Sequence, residues 1–70
     1  MKDELQKAFG RNLRRHRHEL GLSQEKLAEM LGFHRTYLGA LERGQKNPSL
    51  RSVEAYAAVL GVDARYLLRE

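Results

Sequence analysis

Apolar residues recur along this chain at intervals of three and four positions and never in sustained alternation, a pattern that predicts helices and no strands. Gly21, Gly32, Gly44 and Gly61 each follow one of these periodic segments, where a left-handed residue can close a last turn at no steric cost. Ser23, Ser49 and Asp63 stand where helices should begin, with side-chain oxygens able to accept from first-turn amides. Leu22 with Leu27, Phe33 with Leu38 and Val62 with Leu67 straddle three proposed helix starts at the spacing of a hydrophobic staple. The signals together predict five helices, at about residues 3–20, 24–31, 35–43, 50–60 and 64–69. Helices this short are marginal alone. Their stability is therefore assigned to a shared core of Phe9, Leu13, Leu20, Leu27, Leu31, Leu38, Leu41, Leu50, Val53, Ala57 and Leu60.

At 70 residues, without repeats or low-complexity tracts, residues 1–70 read as a single all-α domain too small to enclose a large active site. The chain has no cysteine, so neither disulfides nor thiolate metal sites support the fold. Its apolar stretches are far shorter than a membrane span, and the amino terminus lacks the apolar centre of a signal peptide, which points to a cytoplasmic protein. Lys and Arg number 13 against 9 Asp and Glu, a formal net charge of +4. The excess gathers at Arg11, Arg14, Arg15 and Arg17, and again at Arg35, Arg43, Lys46 and Arg51, which favours an anionic partner with nucleic acid foremost.

The informative stretch runs from Leu22 to Leu50: a two-turn helix, a break at Leu31-Gly32-Phe33, a second short helix and a polar loop. Gly32 lets the chain turn sharply, and the small Ala28 lets the two helices cross closely, so the pair reads as a helix-turn-helix. The run Leu22-Ser-Gln-Glu-Lys-Leu-Ala-Glu-Met-Leu-Gly-Phe-His-Arg-Thr-Tyr-Leu38, continued by Glu42-Arg-Gly-Gln-Lys-Asn-Pro-Ser-Leu50, resembles the Xre/Cro-type, lambda-repressor-like regulators. Within that family the Arg35-Thr36-Tyr37 opening is most similar to the small controller proteins of restriction-modification systems, with phage repressors and antitoxin domains as near neighbours. The resemblance implies a compact five-helix DNA-binding domain with helices 2 and 3 as the reading unit. His34 departs from it, standing at the helix 3 cap where the family often has Ser, Asp or Asn.

Counting about 100° per residue with Leu38 and Leu41 inward, the outward side of helix 3 carries Thr36, Gly39, Ala40 and Arg43, with Arg35 and Tyr37 on its flanks. These residues would meet the major groove. Arg35 is placed to donate two hydrogen bonds to a guanine, Thr36 to bond a base edge or touch a thymine methyl, and Tyr37 to reach a phosphate or a pyrimidine methyl. Gly39 costs a mid-helix position about 1 kcal/mol relative to Ala. Close approach of DNA could offset that; the alternatives are relief of a clash within the protein or neutral drift. Gln24 at the head of helix 2 joins free amides and the positive end of a helix dipole as a phosphate seat. Arg43, Lys46, Asn47, Ser49 and Arg51 form a second phosphate clamp, and the resembled family uses both places in this way. Ser23 is read as a cap alone, and Ser49 as both cap and phosphate contact.

Arg17 falls on the apolar stripe of helix 1 and needs a partner there; Glu42, half inward at the end of helix 3, is the candidate, and the family pairs the matching positions. His16, His18 and His34 make no metal set, since His16 and His18 cannot share a helix face. No base accompanies Ser23, Ser49 or Ser52, and no glycine-rich phosphate loop exists. The reading is therefore not an enzyme, with no cofactor, metal or small-molecule ligand expected. One such module reads few base pairs, so two copies should read a palindrome with half-sites about 34 Å apart. Leu60, Val62, Tyr66, Leu67 and Leu68 supply the expected dimer surface. The sequence thus points to a bacterial or phage regulator that binds operator DNA as a homodimer; the rival reading is an antitoxin-like or adaptor domain whose main partner is a protein.

Overall fold

Turn chemistry divides the chain. The computed structural model describes residues 4–70, in which α1 (Glu4–Glu19), α2 (Gln24–Leu31), α3 (Arg35–Glu42), α4 (Leu50–Leu60) and α5 (Ala64–Leu67) follow in order. Ser23 Oγ accepts from the Lys26 amide at 2.9 Å, Ser49 Oγ from Ser52 at 3.1 Å and an Asp63 carboxylate oxygen from Arg65 at 2.8 Å. Each satisfies a donor that a helix start would otherwise leave open. At the other end of α2, Gly32 adopts φ 77°, and the Phe33 amide donates back to the Ala28 carbonyl at 2.8 Å. That closure turns the chain directly into α3.

Most expected boundaries hold, with α2 and α4 spanning the residues expected of them. The expected start of α1 at residue 3 lies outside the described residues. Three ends are shorter than expected: α1 stops at Glu19, α3 at Glu42 with Arg43 as its cap, and α5 at Leu67. At the end of α5 the buried Asn12 of α1 donates through Nδ2 to the Leu67 carbonyl at 3.1 Å and the Arg69 carbonyl at 2.7 Å. Those carbonyls are held by a side chain instead of by further helix.

The core unites α1 with α3, α4 and α5, and α2 with α3 and α4. Phe9, Leu13, Leu27, Leu38, Leu41, Val53, Ala57 and Leu60 are buried in it as expected, and Leu31 packs at its edge. Leu20 and Leu50 are not in it, at 51% and 77% exposed. Leu20 lies past the end of α1, where the chain turns at Gly21, and Leu50 is the first residue of α4, ahead of its buried stripe. Their places are taken by Leu67 and by Tyr56, the largest fully buried side chain. Phe9 and Tyr56 rings lie 5.6 Å apart, Tyr56 and Phe33 5.5 Å, and Phe33 and Tyr37 4.9 Å. This aromatic row ties α1 through α4 to the head of α3, and edge-to-face pairs of this kind add stability beyond their area.

α1 and α3 approach closely at Gly10. A Cβ there would collide with the Leu41 carbonyl oxygen and lie 2.7 Å from that of Glu42, both backbone atoms with no freedom to yield. Gly10→Ala is therefore expected to lower stability by about 3 kcal/mol, read as a fall in the urea midpoint with unchanged slope. A loss within error would mean that the two helices do not touch there. Tyr56 supplies a second test. Its hydroxyl is sealed from solvent without a hydrogen-bond partner; burial first, and the neighbouring Tyr37 second, push it up to about 12 from an ordinary 10.0. The folded state thus keeps a proton that the unfolded chain releases, so stability is whole below pH 10 and declines as pH rises toward 12. Tyr56→Phe should flatten that decline at no cost at neutral pH; an identical alkaline profile for both proteins would contradict the assignment.

Candidate nucleic-acid interface

The turn at Gly32 and the staple of Phe33 against the core set α3 across the molecule with Leu38, Leu41 and Glu42 buried. His34 caps α3 in an extended conformation but makes no side-chain cap bond, so backbone bonds to its carbonyl from Tyr37 and Leu38 start the helix instead. Arg35 and Thr36 are exposed at this head, and Arg43, Gln45, Lys46, Asn47, Ser49 and Arg51 are exposed along the chain that follows. The structure thus brings the cations of the second cluster to one continuous stretch. It sends Arg11, Arg14 and Arg15 elsewhere, to the exposed side of α1 facing away from the buried Phe9 and Leu13.

Three expectations for the outward side of α3 need correction. Tyr37 is half-buried, its ring edge-on to Phe33, because the aromatic row draws it inward. Ala40 is buried where the chain folds back beyond Gly44, the Gln45 amide donating to its carbonyl at 2.9 Å. Gly39 is buried too, but beneath polar side chains. A Cβ at that position would lie 3.2 Å from Arg43 Nη1 and 3.6 and 3.7 Å from the carboxamide atoms of Gln24. Only the flexible tip of Arg43 would be crowded, the Gln24 atoms lying at ordinary contact distance, so the protein's own packing does not demand a glycine there.

Under this surface lies a buried ion pair. Arg17 Nε donates to Glu42 Oε2 at 2.6 Å, its Nη2 to Oε1 at 3.0 Å and its Nη1 to the Leu22 carbonyl at 2.9 Å. Two parallel bonds of this kind fix the carboxylate plane as well as its position. Gln24 Nε2 reaches the same Oε1 at 3.0 Å, so a residue singled out as a phosphate seat is already tied to the pair. No sequence pattern foretells that link, because it joins three helices. Gln45 likewise carries no signal in the sequence: its Oε1 accepts from Arg43 Nε at 3.1 Å and orients that cation. Ser49 is engaged twice by Ser52, accepting from its amide and donating to its hydroxyl at 2.9 Å.

The expected dimer surface also changes. Leu60 and Leu67 are buried in the protomer's own core, because α5 packs on α1 and α4. Val62 and Leu68 are half-buried against it, leaving Tyr66, 49% exposed with the Arg69 guanidinium 5.3 Å from its ring centre, as the open member of that set. Among the described residues no helix is long and apolar enough to cross a membrane, and no group of three His, Asp or Glu side chains could hold a metal ion.

A family model of helix-turn-helix proteins matches residues 13–67. Control protein C.BamHI of Bacillus amyloliquefaciens is 39% identical over 69 residues, covering 97% of this chain and 85% of its own. The restriction-modification controller protein C.AhdI from Aeromonas hydrophila superposes with a TM-score of 0.80 at 44% identity, over 87% of this chain and 92% of that one. SinR, the master regulator for biofilm formation, solved in complex with DNA, superposes with a TM-score of 0.80 at 37% identity, over 87% of this chain and 98% of that one.

The contacts over Gly39 yield a test of sign. A methyl group there meets the mobile end of Arg43, which can shift by a few tenths of an ångström, and it removes the helix penalty of glycine. Gly39→Ala should therefore stabilise the protein by up to about 1 kcal/mol. A loss of that size in thermal or urea unfolding would show instead that the roof of Gln24 and Arg43 cannot yield.

Proposed function

This chain belongs to the helix-turn-helix transcriptional regulators, a DNA-binding family and not a class of enzymes, and from that premise we propose that it binds a palindromic operator as a homodimer in the cytoplasm of a bacterium or phage-infected cell. The observation that carries this reading is the head of α3: Arg35 and Thr36 stand exposed on a helix whose inner side is fixed by Leu38, Leu41 and the buried Glu42. A helix held from beneath with an exposed Arg at its amino end suits insertion in a major groove, where a guanidinium can meet guanine O6 and N7 together. Kinship with C.BamHI and C.AhdI supports a controller-type role.

The base-reading set contracts to Arg35 and Thr36, since Gly39 and Ala40 are buried and Tyr37 is half-buried with its ring against Phe33. Gln24, Arg43, Lys46, Asn47, Ser49 and Arg51 take the phosphate role, Gln24 from the head of α2 and the others from the chain that follows α3. Ser49 can serve by redirecting its hydroxyl proton from Ser52 to a phosphate while its oxygen still caps α4. The dimer surface is built on Tyr66, with Val62 and Leu68 beside it.

Salt dependence and single substitutions test the proposal together. Three cations per protomer, Arg43, Lys46 and Arg51, make about six phosphate contacts in a dimer, so log K should fall with log salt at a slope of about −5. Arg35→Ala should cost about 1 to 3 kcal/mol and relax the preference at one base pair, whereas Lys46→Ala should weaken every sequence alike and make the slope shallower. Selection of bound duplexes from a random pool reads symmetry and spacing directly. Equal behaviour of the two variants, or recovered sites without two-fold symmetry, would refute the assignment of roles or the dimer respectively.

A further inference from the structure

Glu42 is a buried carboxylate met by three donors from two other helices: Arg17 Nε at 2.6 Å and Nη2 at 3.0 Å from α1, and Gln24 Nε2 at 3.0 Å from α2. A carboxylate can only accept, so the Gln24 carboxamide must turn its nitrogen toward Glu42. The direction of Oε1 is in turn fixed by Arg17, whose bidentate grip sets the carboxylate plane. One Nε2 proton of Gln24 is left over. It sits at the first residue of α2, beside first-turn amides that lack helical partners and at the positive end of the helix dipole. From this geometry we infer that Arg17 and Glu42 are positioning residues for DNA binding: they hold the Gln24 side chain in place to donate its remaining N–H to a backbone phosphate. The inference rests on the DNA-binding reading above and adds to it a role for a pair that otherwise only joins α1 to α3.

A second observation points the same way. Arg43 Nη1 and Gln24 Nε2 lie 3.2 and 3.6 Å from the vacant Cβ position of Gly39, so the side chains of two proposed phosphate contacts meet over one point of α3. Loss of the carboxylate would free Gln24, half-buried and otherwise unconstrained, to sample rotamers that binding must then restrict.

The test replaces both charges at once, because removing one alone would strand the other in the interior, whereas paired apolar replacement is often neutral for stability. Wild type, Gln24→Met, the double variant R17M/E42M and the triple combination are compared for affinity to a mixed-sequence duplex at low salt and for melting temperature. The expected result is an affinity about tenfold weaker in Gln24→Met and in R17M/E42M alike, no further loss in the triple variant, and an unchanged salt slope, since Gln24 is neutral and releases no counterion. Additive losses would overturn the positioning role. So would a shallower slope in R17M/E42M, which would mean that the whole of α3 had moved with its cations. Should R17M/E42M fail to fold, the side-chain amide of Gln24 in the free wild type decides by nuclear magnetic relaxation: order close to that of the backbone upholds the inference, and free rotation overturns it. Wild type that binds no duplex at low salt sinks the DNA-binding reading and this inference with it; wild type that binds, with an additive cycle, removes this inference alone.

Discussion

A carboxylate sealed from water at the end of a two-turn helix must be met by donors from elsewhere, and the rest of this structure is arranged around that need. Glu42 is the last residue of α3, and Arg17 on α1 meets both of its oxygens. The Arg17 side chain also takes the Leu22 carbonyl in the link before α2, so one guanidinium fastens three segments. A buried pair of this kind is weak evidence for stability, because desolvation offsets much of the attraction. What it contributes is geometry. An apolar contact at the end of α3 would keep the helix at the same depth, whereas two charge-assisted hydrogen bonds also fix the carboxylate that Gln24 meets. Close packing at Gly10, against the carbonyls of Leu41 and Glu42, sets the same end at the same distance from α1 by steric limits.

The opposite end of α3 is held by different physics. His34 supplies no side-chain cap, and the aromatic row from Phe9 through Tyr56 and Phe33 to Tyr37 anchors the helix head through ring contacts. A short helix with one outer side bare cannot be held by packing all round. It is fixed at its tail by an ion pair and at its head by aromatic edges, and the residues between these anchors can face outward without unseating it. Tyr37 belongs to the anchoring set, which explains why a residue beside Arg35 and Thr36 turns inward while they do not.

Local chemistry made much of this legible in the sequence, and tertiary covering made the rest illegible. Gly32 and Ser23 act through bonds within a few residues of themselves, so the limits of α2 could be read directly; so could those of α4, from Ser49 and Gly61. The Arg17–Glu42 pair was legible for another reason: a charge on an apolar stripe demands a partner, and few carboxylates face inward. The tie that holds the end of α5 was not, because it comes from Asn12 of α1, more than fifty positions away in sequence. Nor was the burial of Gly39 and Ala40. Helical angles place both residues outward, but exposure depends on what lies over them: the Gln24 and Arg43 side chains over Gly39, and the chain folding back at Gln45 beside Ala40. Leu60 and Leu67 follow the same rule in reverse, since apolar residues near a chain end look available for a partner until α5 is seen packed on α1 and α4.

The side chains around α3 fall into two groups that differ in freedom. Gln24 is tied to Glu42, Arg43 to Gln45 and Ser49 to Ser52 before any ligand arrives. Arg35, Thr36 and Lys46 are exposed and carry no side-chain hydrogen bond among the described residues. Ordering a long free side chain on binding costs on the order of 1 kcal/mol, a cost already met for the tied group during folding. Groups that touch phosphates benefit from being fixed, because the backbone they meet has the same form at every sequence. Groups that read base edges must choose among hydrogen-bond patterns, and their freedom lets a poor match go unordered and a good one be ordered. Arg35 and Thr36 fit that division, whereas Lys46, Asn47 and Arg51, proposed for phosphate, carry no side-chain hydrogen bond among the described residues and would be ordered only on binding.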